Sequence, residues 1–231
     1  MTDHAFYKPR LGAVLAEAVA GKSIGRTLTN LFWRGTPEMS GTILDIGGGG
    51  GRGSHYRFLP IASGAVIKTA DIISRPGTDF VLDITKEKVP LPDSSVDHIF
   101  LFNILEHLSA HEAPLKEIKR LLRPGGTLIG SIPFLVNVHP DPSDFVRLTD
   151  EALTALFTQN GFTVRAVVPI GRGPFLAGYE QLDSLIPHFL HALFLPVVWG
   201  LDGLLQTLKP KRDFRRQFPL AYNFVVEKMV I

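Results

Sequence analysis

The run Thr42-Ile43-Leu44-Asp45-Ile46, followed by Gly47-Gly48-Gly49-Gly50-Gly51-Arg52-Gly53, constrains this chain more than any other stretch. Apolar and β-branched residues around one acid predict a buried strand, and the glycines let the backbone turn sharply into a following helix. Gly47, Gly49 and Gly51 fit an acid-x-G-x-G-x-G arrangement, in which missing Cβ atoms let a ligand approach closely. Nicotinamide and flavin enzymes also use a glycine turn, so the turn alone does not choose a ligand. Asp45 does more. Its carboxylate repels a pyrophosphate and attracts a cofactor that carries an ammonium group and no phosphate. The plain alternative is a ligand-free turn, for which five consecutive glycines are an uneconomical design.

Around this loop the pattern alternates short apolar runs with helix-like segments, as βαβ units do. Strands are expected at 42–46, 66–70, 80–82, 96–102, 127–132, 163–168 and 222–230, several of them apolar enough to be buried on both faces. Helices are expected at 53–62, 111–122 and 150–160. Ser109 with Glu112 reads as a capping box, and Thr149 reads as the cap of the helix that ends before Gly161. The fold class is therefore α/β: a Rossmann-like, seven-stranded, mostly parallel sheet with helices on both faces. An N-terminal helical segment over 1–40 precedes a domain over 41–231, which carries an apolar helical insertion at about 171–220.

The 231 residues hold 24 Lys and Arg against 22 Asp and Glu, a net charge of +2 that gives no bulk reason to bind nucleic acid. With no cysteine, thiolate metal sites, iron–sulfur clusters and thiol nucleophiles are excluded. Met1–Arg10 carries Asp3, His4, Lys8 and Arg10 and lacks the apolar core of a signal peptide, so a cytoplasmic location is the expectation.

Two further acids end expected strands. Asp71 lies 18 residues beyond Gly53, where dinucleotide folds place an acid on ribose hydroxyls, although a surface turn would also accommodate it. Asp83 closes the third strand, where it or its backbone would reach the exocyclic amine of adenine. Only seven residues separate Asp71 from Asp79, fewer than a parallel crossover helix needs, so that helix is expected to be lost.

Val89-Pro90-Leu91-Pro92-Asp93-Ser94-Ser95-Val96-Asp97, Asn103-Ile104-Leu105-Glu106-His107-Leu108 and Leu122-Arg123-Pro124-Gly125-Gly126-Thr127 complete a recognisable set. With Asp45–Gly51 they resemble the class I S-adenosylmethionine-dependent methyltransferases, in the methyltransferase type 11-like branch. The resemblance implies S-adenosylmethionine as cofactor and a last strand running antiparallel between the fifth and sixth. It implies that Asp45, Gly47, Gly49 and Gly51 hold the methionine part, Asp71 the ribose, Asp83 and Ile84 the adenine border, and that Asn103 lies beside the cofactor.

Methyl transfer from a sulfonium needs alignment more than covalent help, and a base matters only for a protonated acceptor. His139 is the first candidate base and His107 the second. His139-Pro140-Asp141-Pro142-Ser143-Asp144-Phe145-Val146-Arg147 resembles a segment of methyltransferases in bacterial cell-surface polysaccharide pathways. Asp144 and Arg147 either position the acceptor or pair with each other. His139, Asp141 and Asp144 are spaced too loosely to predict a metal site, and none is expected.

The run 182–208 is apolar, but two prolines, two histidines and Asp202 argue against a transmembrane helix. Lys209, Lys211, Arg212, Arg215 and Arg216 follow, so the 182–216 region is a candidate for peripheral contact with an anionic membrane or for a homodimer interface. Lying over the active-site edge, it points to a small-molecule or lipid-linked acceptor, with oxygen favoured as the acceptor atom. The rivals are a non-catalytic methyltransferase-like binding module and, further off, an NAD(P)-dependent oxidoreductase, which Asp45 and the lack of a Tyr-x-x-x-Lys pair disfavour.

Overall fold

The computed structural model describes residues 9–49 and 53–230. Gly51 lies outside the described residues. The strands are β1 (Thr42–Ile46), β2 (Val66–Asp71), β3 (Phe80–Val81), β4 (Val96–Phe102), β5 (Leu122–Pro133), β6 (Phe162–Ile170) and β7 (Ala221–Lys228). They form one sheet in the order β3-β2-β1-β4-β5-β7-β6. β1 to β5 pair in parallel, and β7 runs antiparallel between β5 and β6, as the family resemblance implies. The helices are α1 (Leu11–Val19), α2 (Ile24–Phe32), α3 (Glu112–Leu121), α4 (Asp150–Gln159), α5 (Pro174–Gln181), α6 (His191–Leu208) and α7 (Phe214–Gln217).

Side-chain alternation along the strands builds two cores. Leu44, Ile99, Leu101 and Leu128 face one way and pack with Leu115 and Ile118 of α3 and with Leu153 and Phe157 of α4. Ile43, Phe100 and Ile129 face the other way and meet Leu28 and Leu31 of α2, Val14 of α1 and Leu176 of α5. The N-terminal helices thus cover the second face of the sheet together with the insertion, and α1 packs on α6.

Two local expectations change. The helix expected at 53–62 is a single 3-10 turn, Ser54–Arg57, because the chain is drawn aside at Pro60. Met39 N–H donates to the Pro60 carbonyl and Ala62 N–H to that of Met39, which fixes an extended bridge where a helix would continue. The capping box fails: His111 precedes α3 without a side-chain cap, and its Nε2 is instead 2.9 Å from the Leu105 carbonyl. Between β2 and β3 the chain makes turns and no helix, as the short spacing predicts. Thr149 caps α4 as expected, its hydroxyl accepting from Ala152 N–H.

In α6, Leu193, Val197, Leu201, Leu204 and Leu208 recur at helical spacing and are all exposed, while His191, Leu195 and Asp202 are buried on the opposite side. The segment His188–Leu208 is long and apolar enough to cross a membrane by length and composition. Here it is tied to the domain. Both oxygens of Asp202 accept backbone N–H groups at the start of α5, from Phe175 and Leu176, and Arg172 lies over the Trp199 ring.

Candidate active site

A cavity of about 860 Å³ opens beyond the carboxyl ends of β1, β2 and β4, where open α/β sheets bind ligands. Gly47 starts its floor with φ +77, and a Cβ there would meet Ile104 at 2.1 Å, so only glycine serves. Gly49 N–H donates to Asp71 Oδ2, and Ile73 N–H donates to Asp71 Oδ1. These two bonds hold the Asp71 carboxylate at the cavity wall with lone pairs to spare.

Asp45 does not line the cavity. It is fully buried beneath the loop, where its Oδ2 accepts from the Tyr56 hydroxyl at 2.7 Å and faces His55 Nε2 at 3.2 Å. Burial and this carboxylate push the Tyr56 phenol well up, so it remains a donor. Asp45 Oδ1 is buried without a partner among the described residues. The His55 ring in turn stacks on Phe102, centroids 4.4 Å apart.

Asp83 and Ile84 lie at the cavity's far wall. The Asp83 carboxylate is already committed, accepting from Thr85 N–H and Oγ1 and pairing with Lys86, and these partners hold it down at about 2. Its side chain therefore stabilises a turn, and Ile84 lines the cavity beside it. Asn103 lines the cavity in a left-handed backbone conformation, φ +54, with its Oδ1 accepting from the Ser131 hydroxyl and its N–H donating to the Ser131 carbonyl. An unusual conformation held by two bonds at a cavity wall marks a position where the side chain's placement matters.

A second cavity of about 260 Å³ adjoins the first and shares Arg26, Thr29, Asn103 and His139 with it. Its outer wall comes from the insertion, through Glu180, Gln181, Asp183 and Ser184. The N-terminal segment contributes from the other side: Arg26, Thr29 and Asn30 of α2 line the larger cavity, and Asn30 Nδ2 donates to Ser54 Oγ.

His107 and His139 meet at the junction, ring centroids 5.6 Å apart. Asp144 and Arg147 line neither cavity. They pair with each other through two guanidinium nitrogens, and Asp144 Oδ2 also accepts from His139 N–H. Arg147 holds the Asp144 carboxyl far below its ordinary range. The pair therefore braces the loop that presents His139. Glu106 is fully buried beside both histidines, and burial pushes its carboxyl up to about 8.

The sequence does not single out Arg26, Asn30, His55 or Arg75 as cavity residues. No spacing rule reaches them, since α2 comes from the far N-terminus and Arg75 from the helix-less crossover. Glu106 did carry a signal: an acid inside the otherwise apolar run Ile104-Leu105-Glu106 has to face something polar.

Residues 44–130 match the family model described as "Methyltransferase domain". A Mycolicibacterium smegmatis protein named "Probable S-adenosylmethionine-dependent methyltransferase" is 33% identical over 103 residues, covering 42% of this chain and 39% of that protein. A Mycobacterium tuberculosis protein of the same description is 31% identical over 102 residues, 42% of this chain and 37% of its own length. The chain thus spans well under half of the curated relatives it matches. Among solved structures, the carbon methyltransferase CurJ superposes with a TM-score of 0.55 at 15% identity, covering 95% of this chain and 59% of that one. The cyclase SpnF gives 0.54 at 17% identity, covering 96% and 93%. At such identities the likeness is one of fold, and the cyclase shows that this fold hosts other chemistry. The sequence likeness to S-adenosylmethionine-dependent methyltransferases thus lies in the segment 44–130, and the structural likeness extends the shared fold over nearly the whole chain.

Proposed function

We propose that this protein transfers a methyl group from S-adenosylmethionine to a small molecule seated in the second cavity. The observation that carries this reading is the junction itself: a glycine-floored cavity walled by Asp71 opens into a smaller one through shared Asn103 and His139. The residues present suit the cofactor. The larger cavity has the size of a nucleoside-sized ligand site, and two of its cations, Arg26 and Arg75, suit a carboxylate. Asp71 would take ribose hydroxyls, the backbone at Ile84 would border adenine, and Gly47 and Gly49 would admit the methionine part. Asp45 would act from below by fixing the loop, and its Oδ1 has no partner among the described residues.

When bound, the cofactor supplies a methyl group already activated by sulfonium charge, so the protein mainly has to align the acceptor. Asn103, fixed by Ser131, would set that alignment at the junction. An oxygen acceptor fits the site best, because His139 Nε2 stands at the junction as a proton acceptor with His107 beside it. Asp144 and Arg147 would serve the acceptor indirectly by bracing His139.

The insertion supports an amphiphilic or lipid-linked acceptor. It walls the second cavity with polar residues and turns the exposed α6 stripe outward, next to Lys209, Lys211 and Arg212, which make no ion pair among the described residues. An apolar stripe bordered by free cations is the pattern of a helix lying on an anionic bilayer surface. The proposal therefore includes peripheral membrane contact through 182–216.

Comparing S-adenosylhomocysteine binding by Asp71→Ala and His139→Ala tests the reading. Asp71→Ala should weaken binding at least tenfold while His139→Ala leaves it unchanged. The reverse pattern would overturn the assignment of the two cavities.

A further inference from the structure

We propose that Glu106, His107 and His139 form a binding site for one divalent transition-metal cation, open toward the acceptor cavity. One ring nitrogen from each histidine and one oxygen of Glu106 lie within 4.8 Å of one another. Glu106 Oε1 is 3.7 Å from His107 Nε2 and 4.0 Å from His139 Nε2, too far for hydrogen bonds. Both carboxylate oxygens are buried and have no partner among the described residues. A fully buried carboxyl with neither oxygen satisfied is costly unless something else occupies the space between it and the histidines.

The histidines are oriented as ligands. His107 Nδ1 is 2.5 Å from the Ser143 carbonyl, and His139 Nδ1 is 2.9 Å from the Asn137 carbonyl. A carbonyl only accepts, so each Nδ1 carries the proton and each Nε2 presents a lone pair toward Glu106. A backbone carbonyl on the remote ring nitrogen is the usual support of a metal-binding imidazole. Two imidazole nitrogens and one carboxylate suit zinc, manganese or ferrous iron, and leave coordination positions open. Ligands about 2.1 Å from one ion stand roughly 3.0–3.4 Å apart, so the set must contract. His139 can supply that movement, because its side chain is 47% exposed and sits on a loop. The nearby Arg147 charge is neutralised by its two-point pairing with Asp144.

A cation here would bind an acceptor oxygen and ease loss of its proton to solvent; the His139 Nε2 lone pair would then hold the cation, and water would take the proton in its place. That use rests on the oxygen-acceptor reading. Cation binding does not.

The test is titration of chelator-treated protein with Co²⁺, followed by visible absorption, and with Zn²⁺ by calorimetry. Wild type should take up one equivalent of each, and both His139→Ala and Glu106→Gln should weaken uptake at least tenfold. His139 lies on an exposed loop, so its variant remains folded and informative even if the Glu106 variant does not. S-adenosylhomocysteine binding, measured on the same samples, should survive in His139→Ala. No uptake by wild type, or equal uptake by His139→Ala, would overturn the cation site. Loss of S-adenosylhomocysteine binding by wild type would instead strike the methyltransferase reading and leave the cation site standing.

Discussion

Replacing Gly48 by alanine probes the floor of the proposed cofactor cavity through its packing on Asp45. A Cβ on Gly48 would stand 1.8 Å from Asp45 Oδ2 and 2.2 Å from its Cγ. The carboxylate has nowhere to go. It is fully buried, and the same oxygen is held by Tyr56 at 2.7 Å with His55 at 3.2 Å. Either Asp45 rotates and loses the Tyr56 bond, a charge-assisted bond worth about 1.5–3 kcal/mol, or the loop lifts into the cavity. Taking about 2 kcal/mol as the cost to the bound state gives roughly a thirtyfold rise in Kd. The assay is calorimetric titration with S-adenosylhomocysteine, with Gly64→Ala as control. A Cβ on Gly64 meets nothing within 4 Å, so that variant should bind like wild type. Wild-type affinity in Gly48→Ala, within threefold, would refute the claim that Asp45 and the loop are packed as one unit.

Three other expectations follow from packing, burial and charge. Gly130→Ala puts a Cβ 2.0 Å from the Leu101 carbonyl and 2.6 Å from the Phe224 ring in the middle of the sheet. It should cost about 3 kcal/mol and lower Tm by roughly 10 °C, and a thermal melt unchanged within 2 °C or so would contradict the β4–β5–β7 packing. Burial pushes the Glu180 carboxyl up to about 7, although Gly25 N–H donates to one of its oxygens. Its charged form is disfavoured in the fold, so its contribution is complete below the ordinary glutamate range and is lost as pH rises toward 7 and beyond. Glu180→Gln should therefore gain stability relative to wild type between pH 5 and pH 8; denaturant melts showing the same difference at both pH values would exclude this. Val197→Asp on the exposed α6 stripe should abolish co-sedimentation with phosphatidylglycerol vesicles at unchanged Tm. Sedimentation equal to wild type would exclude α6 as the membrane face, and a wild-type dimer that this variant dissociates would assign the stripe to a second copy of the chain.

Much of the sheet was legible because its signals are local. Thr42–Ile46 and Val96–Phe102 show their apolar continuity directly, and the short spacing between Asp71 and Asp79 predicted a crossover without a helix. The segment 53–62 misled because Met39 and Ile61 form a bridge that no local propensity encodes. The candidate site was legible along the strands' carboxyl ends and opaque elsewhere. Asp71 stands out by its spacing from the glycine loop and Asn103 through the family resemblance, whereas Asn30 reaches Ser54 only because α2 folds back over the loop. Asp144 and Arg147 were readable as a pair, but whether they face the acceptor or each other depends on a loop conformation, and they face each other. Glu106 and His139 are 33 residues apart, and only the return of the chain after β5 brings them together.

Side-by-side calorimetry of the purified protein with S-adenosylmethionine, S-adenosylhomocysteine and NADH tests the central claim most directly. The account predicts one site that binds the first two and shows no heat with NADH. Binding of NADH, or of neither sulfur compound, would contradict it.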